Sequence, residues 1–479
     1  MDIKLGHALR AGYTFFYCQT FEMDRTVETI TEEIKSIEQR EWKIKIWDFE
    51  TSDGDPDVVL SYLRGEEAYT AIIAKNFNWF LDSPDGSKNY EAIQFIQNRF
   101  AEFSSVETRK ALILLSNENF NQAVPACLAK EFVKIDFPLP NSEEAKEILE
   151  GIIEAASRSD KFKIPSEDEK PALVEAALGL TKRGISNAYA YSIIESGGSL
   201  DPTIVAAMRS AEINETSGLS VGQYRVEEIK GYNRAKEFIR MAIKNPDSRG
   251  VLLLGPPGVG KTHLAKWTST IASKVLIEFE LAQVQGQGLY GQAEAEMANA
   301  IKVVKSIANC ILFIDEIEKA VPGKGATNDT TGTRSFGQLL KFLSDGRPPG
   351  CFVIATCNDI SKLPPEWVRS GRFDVIFFAD LPSDEEKKEI FSYYSSKYNV
   401  DDRGFNVNKM KGWTGAEIES VCRIASVIGK TVKEAAGYVV PIVDTMRDEI
   451  EYLRKWAKGR TIPANVVEEK ITRPRSIDM

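Results

Sequence analysis

One segment of the chain combines glycines, a lysine and a threonine at a spacing that suits phosphate binding. Residues 255–262 read Gly-Pro-Pro-Gly-Val-Gly-Lys-Thr, a complete GxxxxGKT motif, and they directly follow the apolar residues 251–254. In a strand–loop–helix setting, such glycines let successive backbone N–H groups converge on phosphate oxygens. Lys261 is expected to reach the β- and γ-phosphates, and Thr262 to bind Mg²⁺. The sequence therefore predicts a nucleotide site, with a helix from Lys261 to about Ala272.

A pair of carboxylates supplies a second group for the same chemistry. Asp315 and Glu316 follow the apolar run 310–314, which is typical of a buried strand. Asp315 is expected to hold Mg²⁺ through water, and Glu316 to polarise the water that attacks the γ-phosphate. Alone, an apolar run that ends in Asp-Glu is weak evidence, because acidic residues also cap helices. Its position after the glycine loop favours the catalytic interpretation.

Further polar residues follow the next apolar run, 351–357. Asn358 comes directly after it and could hold the attacking water, although asparagine is also common in turns. Arg369 and Arg372 flank a Ser-Gly turn and suit guanidinium groups presented to the γ-phosphate of a neighbouring chain. The alternative is that both arginines are solvated surface residues.

Together these motifs resemble the AAA+ ATPases, specifically the AAA clade proper, over about residues 226–435. By this resemblance the lysine and threonine belong to Walker A, and the two carboxylates form Walker B. The asparagine matches sensor 1, and the two arginines match paired arginine fingers. The catalytic residues that it implies are Glu316, Asn358, Arg369 and Arg372.

The resemblance also implies which residues surround the nucleotide. Residues 229–232, Ile-Lys-Gly-Tyr, match the segment that packs against adenine, and residues 412–417 match the lid motif. The implied cofactors are ATP and Mg²⁺, with the metal held by Thr262 and Asp315. Fingers that act between subunits imply a homo-oligomeric ring, which in this family is usually a hexamer. The implied nucleotide-binding residues are Gly231, Pro256, Pro257, Gly258, Val259, Gly260, Lys261, Thr262, His263, Gly415 and Ala416, the last two standing where other AAA+ clades have a sensor-2 arginine.

Residues 287–292, Gln-Gly-Leu-Tyr-Gly-Gln, fall where translocating members of the family carry an aromatic–hydrophobic–glycine pore loop. Here the order is Leu289, Tyr290, Gly291, so the aromatic residue is displaced by one position. The alternative is that Tyr290 packs at the start of a helix. Threading of polypeptide through a pore is therefore an open expectation, and the glycine- and threonine-rich residues 323–334 could form a second pore element.

The elements that would position these residues occur twice. Residues 133–149 match residues 375–391 at eight of seventeen positions, at a constant offset of 242. Upstream, short apolar runs alternate with helical stretches, as in a parallel sheet. The predicted strands are Tyr13–Cys18, Lys43–Trp47, Ala71–Ala74, Ala111–Leu115 and Phe132–Phe137.

The first of the two copies has lost the chemistry of the second. No glycine loop or lysine occurs in residues 19–24, and Lys75-Asn76 stands where the acidic pair would be. Cys127 and Lys130 occupy the approximate finger positions. We therefore expect that this half does not hold Mg²⁺·ATP, and that it binds a partner or supports the ring.

The predicted fold is α/β, with a degenerate P-loop-like domain followed by an AAA+ module that has a parallel-sheet large subdomain and a helical lid. This layout is similar to a narrower, poorly characterised family of AAA ATPases, known as hypothetical reading frames of plastids and cyanobacteria with bacterial and phage relatives. The predicted boundaries are 1–158 for the degenerate α/β domain, 159–198 for a helical lid-like segment, 199–225 for a linker, 226–381 for the nucleotide-binding large subdomain, 382–440 for the lid, and 441–479 for a C-terminal helix and tail.

Composition excludes several other classes of protein. The 479 residues are 43% hydrophobic and 27% charged, which suits a large buried core and not a disordered chain. The longest apolar runs are far shorter than the roughly 20 residues of a membrane span, and no signal peptide is recognised, so a cytoplasmic protein is predicted. Two histidines, His7 and His263, exclude an HExxH zinc site. The six scattered cysteines are expected to be buried reduced thiols.

Two functional classes remain open at the level of sequence. The first is a ring-forming ATPase that remodels an unknown protein client or complex. The second is a nucleic-acid-associated or regulatory AAA+ switch. The formal charge of −10 and the lack of a recognisable helix-turn-helix, zinc site or basic-aromatic patch give the second no support. No membrane partner is expected.

Overall fold

The apolar runs of the first 200 residues form the strands of one parallel sheet. Its order is β2-β3-β4-β1-β5, and every neighbouring pair is parallel. Buried side chains pack against both faces, as parallel strands with helical crossovers require. The predicted α/β fold is confirmed for this half. In this computed structural model the strands are β1 (Phe15–Gln19), β2 (Lys43–Trp47), β3 (Thr70–Lys75), β4 (Lys110–Ser116) and β5 (Phe132–Asp136).

The chain divides into two compact units at a break between Arg209 and Ser210. Each unit is described by itself. The described residues are 5–465 with the exception of 21, 38–40, 51–54, 66, 82–88, 104, 106, 108, 119, 217, 223, 227, 282–291, 321–329, 369–370, 401–404 and 407–409.

The second unit contains a larger sheet, ordered β12-β11-β7-β10-β9-β8-β6. Its strands are parallel except for β6, which runs antiparallel to β8. The predicted parallel-sheet subdomain is therefore confirmed. The strands are β6 (Leu219–Gly222), β7 (Gly250–Leu254), β8 (Val275–Phe279), β9 (Cys310–Ile314), β10 (Phe352–Cys357), β11 (Val375–Phe378) and β12 (Ile462–Pro463).

Helices connect the strands in both units. Those up to the unit break are α1 (Leu5–Arg10), α2 (Met23–Lys35), α3 (Asp57–Arg64), α4 (Asn78–Leu81), α5 (Tyr90–Phe103), α6 (Phe120–Ala123), α7 (Ser142–Ala156), α8 (Lys170–Ala177), α9 (Lys182–Glu195) and α10 (Pro202–Thr216), which crosses it. Those of the second unit are α11 (Asn233–Ala242), α12 (Lys261–Ala272), α13 (Gln292–Ile307), α14 (Thr330–Lys341), α15 (Asp384–Tyr398), α16 (Gly415–Ile428), α17 (Val432–Ala435), α18 (Ile442–Thr445) and α19 (Arg447–Ala457).

The two units repeat the same strand order. In each, the fifth core strand pairs with the first, followed by the fourth, third and second. The repeated sequence also folds alike. Asn141 caps α7 with Glu144 in a capping box, and 242 residues later Ser383 caps α15 with Glu386 in the same way. The internal repeat therefore extends from sequence to topology.

The stretch 199–225, predicted from sequence to be a linker, contains the break between the two units and also regular structure. It contains α10 and β6. Asp201 accepts the backbone N–H of Thr203, and Pro202 occupies the first helical position, where its missing N–H costs nothing. Asp201 and Pro202, which are also common in turns, therefore mark the start of a helix here.

The C-terminal segment returns to the edge of the second sheet. Strand β12 pairs with β11, and the Ala464 carbonyl accepts the backbone N–H groups of Arg234 and Ala235 at the start of α11. Ile450 and Leu453 of α19, which lies in the predicted C-terminal helix and tail, are buried. This segment therefore braces the helix that follows the predicted adenine-binding residues.

Two expectations about surface and burial can be compared with the described residues. The six cysteines, all within the described residues, are thiols that form no disulfide; five are buried, whereas Cys127 is exposed. Among the described helices, none has the length and apolar character that crossing a membrane requires.

Candidate nucleotide-binding site

The loop between β7 and α12 lies too close to its neighbours for side chains at two of its glycines. A Cβ at Gly255 would lie 2.1 Å from the carbonyl oxygen of Ala379. A Cβ at Gly258, where φ is 80°, would lie 2.9 Å from the hydroxyl oxygen of Thr414, the N-cap of the lid helix α16. The backbone N–H of Ala416 also donates to the Gly258 carbonyl at 3.1 Å. The glycines therefore let the loop backbone touch both the sheet and the lid.

A cavity of about 310 Å³ opens beside this loop, within the usual range for small-molecule sites. It brings together most of the residues predicted from sequence. These are Pro257, Gly258, Val259, Gly260, Lys261, Thr262, His263, Asp315, Glu316, Asn358, Gly415 and Ala416. The rest of the lining comes from Glu228, Ile229, Lys230, Tyr232, Ile390, Tyr393, Tyr394 and Glu419.

Lys261 is the buried cation of the cavity. Its ammonium donates to the carbonyl oxygens of Gly255 at 2.7 Å and Pro256 at 2.8 Å. Burial lowers its pKa to about 8, while the negative charge of Asp315 acts in the opposite direction. A phosphate would restore the favourable electrostatic environment that burial removes, so the position of Lys261 favours an anionic ligand.

The carboxylates of the site are held by a threonine that the sequence analysis missed. Thr356 on β10 donates its hydroxyl to Asp315, and the same oxygen accepts the backbone N–H of Glu316 at 2.8 Å. Glu316 has a φ of 48°, a left-handed conformation that is unusual for a residue with a side chain. Its Oε1 accepts the Asn358 side-chain amide at 2.8 Å. The predicted base and the predicted sensor are therefore hydrogen-bonded.

A second missed residue, Glu318, supports this pair from behind. Its side chain is buried, and Oε1 accepts the backbone N–H of Asn358 at 2.8 Å. Burial raises the pKa of Glu318, and the charge of Glu316 acts in the same direction, whereas the hydrogen bond from Asn358 opposes the shift. In the sequence, Glu318 could have been noticed as an acidic residue three positions beyond Asp315. In the structure it lies on one turn of 3₁₀-helix.

The opposite wall of the cavity comes from the segment before α11 and from the lid. Tyr232 is buried and donates its hydroxyl to the Val259 carbonyl at 3.0 Å. Burial raises its pKa far above the usual value, so the hydroxyl stays protonated. His263 also lines the cavity, and burial lowers its pKa, which favours the neutral imidazole. This wall combines aromatic and apolar side chains with three charged ones, Glu228, Lys230 and Glu419, and its aromatic and apolar part suits a nucleotide base.

Some predicted residues lie elsewhere. Gly231 and Pro256 do not line the cavity: a Cβ at Gly231 would meet the Glu386 carboxylate at 2.7 Å, and Pro256 contributes its carbonyl to Lys261. Arg372 is partly buried just before β11 and is not in the lining. Arg369 and the predicted pore-loop residues Leu289, Tyr290 and Gly291 fall outside the described residues.

The chain's own groups fit a magnesium nucleotide. The Thr262 hydroxyl and the Asp315 carboxylate are hard oxygen donors of the kind that Mg²⁺ prefers. The glycine loop provides backbone N–H groups without side chains in the way, at the positive end of α12. A buried lysine supplies positive charge beside them. The oxygen donors therefore suit the metal, and the backbone N–H groups and the lysine suit the phosphates.

The equivalent place in the first unit is filled by an ion pair. Lys75 is the last residue of β3 and Asn76 follows it, much as the acidic pair follows β9, and Asn76 has a φ of 54°. The Lys75 ammonium lies 2.7 Å from Asp24, the second residue of α2, and 3.5 Å from Asp48. Asp24 and Thr262 are thus each the second residue of the helix that follows the first core strand, and a lysine stands at the strand end where the second unit has the proposed metal ligand Asp315.

Comparison with known families gives one match in each half of the chain. Residues 251–381 match the family described as ATPase family associated with various cellular activities (AAA), and residues 1–137 match the SpoVK-like AAA ATPase N-terminal domain. Among solved structures, the AAA domain of FIGL-1 aligns with 52% of this chain and 95% of its own length, at 21% identity and a TM-score of 0.44.

Relatives in sequence extend over both units. The uncharacterized AAA domain-containing protein ycf46 of Guillardia theta is 27% identical over 96% of this chain and 95% of its own length. The ycf46 protein of Gracilaria tenuistipitata var. liui is 30% identical over 73% of this chain and 72% of its own length. The proteasome-activating nucleotidase of Saccharolobus solfataricus is 31% identical over 58% of this chain and 72% of its own length. The chain therefore belongs to the AAA ATPase family and carries a SpoVK-like domain in front of its AAA domain.

Proposed function

We propose that this protein is a Mg²⁺-dependent ATPase that forms a ring and uses ATP hydrolysis to remodel a protein client or complex. The observation that carries the ATPase proposal is the convergence of Lys261, Thr262, Asp315, Glu316 and Asn358 on one cavity. Bound ATP would supply the γ-phosphoryl group, and Mg²⁺, held by Thr262 and Asp315, would neutralise charge on the phosphates.

The residues of the chain then have distinct roles. Lys261 exchanges its two carbonyl partners for phosphate oxygens. Glu316 takes up the proton of the attacking water, and Asn358 fixes the direction of that carboxylate through its hydrogen bond to Oε1. Arg369 and Arg372 of a neighbouring chain stabilise charge on the γ-phosphate, which is why we propose a homo-oligomeric ring, a hexamer as is usual in this family.

A protein client is supported by the relatives and by charge. One relative is named a proteasome-activating nucleotidase, which connects a similar AAA domain with a protein assembly. The net charge of −10 gives no support for a phosphate-backbone partner. We propose the cytoplasm as the compartment and Tyr290, with Leu289 and Gly291, as the contact with the client.

Phosphate release from ATP tests the activity directly. We expect turnover with Mg²⁺ and none with excess chelator, and we expect that Lys261→Ala abolishes ATP binding in calorimetry. Tight Mg²⁺·ATP binding by that variant would remove the assignment of Lys261. Stimulation of turnover by a permanently unfolded protein, but not by DNA or RNA, supports remodelling. The reverse pattern would favour a nucleic-acid-associated or regulatory switch.

A further inference from the structure

The first unit carries an aromatic cluster at the carboxyl ends of β2 and β3 that the ATPase proposal does not use. Trp47 and Phe77 are fully buried at its base, and Phe80 is partly buried. Phe49 and Trp79 form the outer layer and remain 44% and 48% exposed. An exposed pair of large aromatic side chains over a buried aromatic base is typical of a binding surface.

The exposed rings are held firmly in place. The Phe49 ring stacks on Phe80 with centroids 5.1 Å apart and lies 5.8 Å from Trp79. Both Phe49 and Phe80 also contact Trp47, at 5.4 and 5.6 Å. The indole N–H of Trp79 donates to the Glu118 carboxylate at 3.0 Å. Little side-chain freedom is left to lose on binding, so these rings are preorganised for a partner.

The charge around the rings is negative. Glu118 accepts hydrogen bonds from both Trp79 and the Asn78 amide, and it stands beside the exposed indole. Asp48 and Glu50 flank Phe49 in sequence, and Glu50 donates its backbone N–H to the Asp48 carboxylate at 3.1 Å. The nearby ammonium of Lys75 is already paired with Asp24 and Asp48. A carboxylate has about four acceptor positions, so Glu118 can accept further donors.

We propose that this surface, the aromatic platform (Phe49, Trp79, Phe80 and Glu118), binds an arginine-bearing segment of a partner polypeptide. A guanidinium stacks on aromatic faces and donates in a planar fork to carboxylates, and the platform places both groups side by side. Lysine has the charge but not the planar face, so arginine is the better match. This proposal is independent of the proposed ATPase activity.

The probes are short fluorescein-labelled peptides, titrated into the full-length protein and followed by fluorescence anisotropy. One peptide carries two arginines between leucines, and matched peptides carry lysine, glutamine or glutamate in their place. We expect the arginine peptide to bind about tenfold more tightly than the glutamine peptide, with lysine between them and affinity falling as salt rises. Equal binding of the arginine and glutamine peptides would overturn the proposal and indicate apolar docking instead. Failure of every peptide to bind would also overturn the proposal.

Variants then locate the site. Trp79→Ala and Glu118→Gln are each expected to weaken the arginine peptide about tenfold, whereas Trp79→Phe keeps an aromatic face and loses less. Tyr13→Ala is the matched control, because Tyr13 is also about half exposed (50%) but precedes β1, at the amino end of a strand, whereas the platform lies at the carboxyl ends of β2 and β3. ATP turnover and thermal unfolding report that each variant is folded. Unchanged affinity in folded Trp79→Ala or Glu118→Gln protein, or an equal loss in Tyr13→Ala, would overturn the assignment.

Discussion

Glu316 combines an unusual backbone conformation with several fixed partners. A non-glycine residue in the left-handed region costs on the order of 1 kcal/mol or more, and here φ is 48°. The hydroxyl of Thr356 accepts the backbone N–H of Glu316, and Asn358 donates to its carboxylate. Lys319 also pairs with Glu316, but that lysine side chain is largely exposed and the pair is weakly held. These contacts hold Glu316 in the cavity lining, where the proposed general base would act.

Glu316→Gln should keep ATP affinity and lose turnover, by about a hundredfold or more if the residue is the general base. The substitution preserves shape and an oxygen for Asn358 but removes the group that takes the proton. Calorimetry and phosphate release on the same preparation separate the two effects. A variant with normal kcat would mean that another residue acts as the base.

Glu318 gives a prediction of a different kind, because it acts on Asn358 and not on the nucleotide. Glu318→Ala removes the acceptor of the Asn358 backbone N–H and should lower kcat about tenfold with little change in KM. Glu318→Gln retains a carbonyl acceptor and should restore most of the loss. A purely structural role would instead lower the melting temperature without this difference in kcat between the two variants.

At the residue scale, sequence could predict the groups that belong to continuous motifs. The lysine, the acidic pair and the asparagine follow strands in a recognisable order, so their convergence needs only a parallel sheet. Thr356 and Glu318 act across neighbouring strands, and their partners are 40 residues away in sequence. Such pairings depend on strand order and register, which the local pattern does not contain.

At the scale of elements, the repeat explains both what was predicted and what was not. Strands β1, β3 and β4 were predictable because buried parallel strands are largely apolar runs, whereas the edge strand β2 (Lys-Ile-Lys-Ile-Trp) was recognisable by its alternation. Helix α10 was missed because Gly-Gly-Ser and Asp-Pro are also turn signals. The absence of a glycine loop and of an acidic pair from the first unit was visible in the sequence. The ion pair of Lys75 and Asp24 at the corresponding strand end was visible only in the structure.

This ion pair predicts that each chain binds one nucleotide. The first unit offers Asp24 where the second has Thr262, and a lysine where the second has Asp315, so we expect it to repel a metal ion. Its sequence also has no glycine cradle in residues 19–24. Calorimetric titration of the full chain with Mg²⁺·ATP should give a stoichiometry near one, and Lys261→Ala should remove all of it. A second tight site that survives in Lys261→Ala would contradict the degenerate assignment.

At the scale of the whole molecule, the question is which chain supplies the positive charge at the γ-phosphate. Within the described residues, the cavity lining places Lys261 and Lys230 beside the nucleotide position but no arginine. Arg372 lies before β11, away from the lining, and its neighbour Arg369 lies outside the described residues. If hydrolysis requires a guanidinium at the γ-phosphate, the described lining does not supply it, and we expect it to come from another chain. Activity should then depend on assembly.

Mixing two inactive variants tests this dependence. Arg372→Ala chains keep an intact nucleotide loop, and Lys261→Ala chains keep intact arginines, so each alone should be nearly inactive. A finger is worth roughly 10³–10⁵ in rate in related phosphoryl-transfer systems, so mixed interfaces should restore measurable turnover. Specific activity of the unmodified protein should also rise with its concentration, as assembly proceeds.

The control is a mixture of Lys261→Ala with Glu316→Gln, in which every nucleotide site lacks either the lysine or the base and no interface can recover. Mixed oligomers without restored activity, together with a specific activity that is independent of concentration, would show that each chain hydrolyses ATP by itself. Arg369 and Arg372 would then be surface charges.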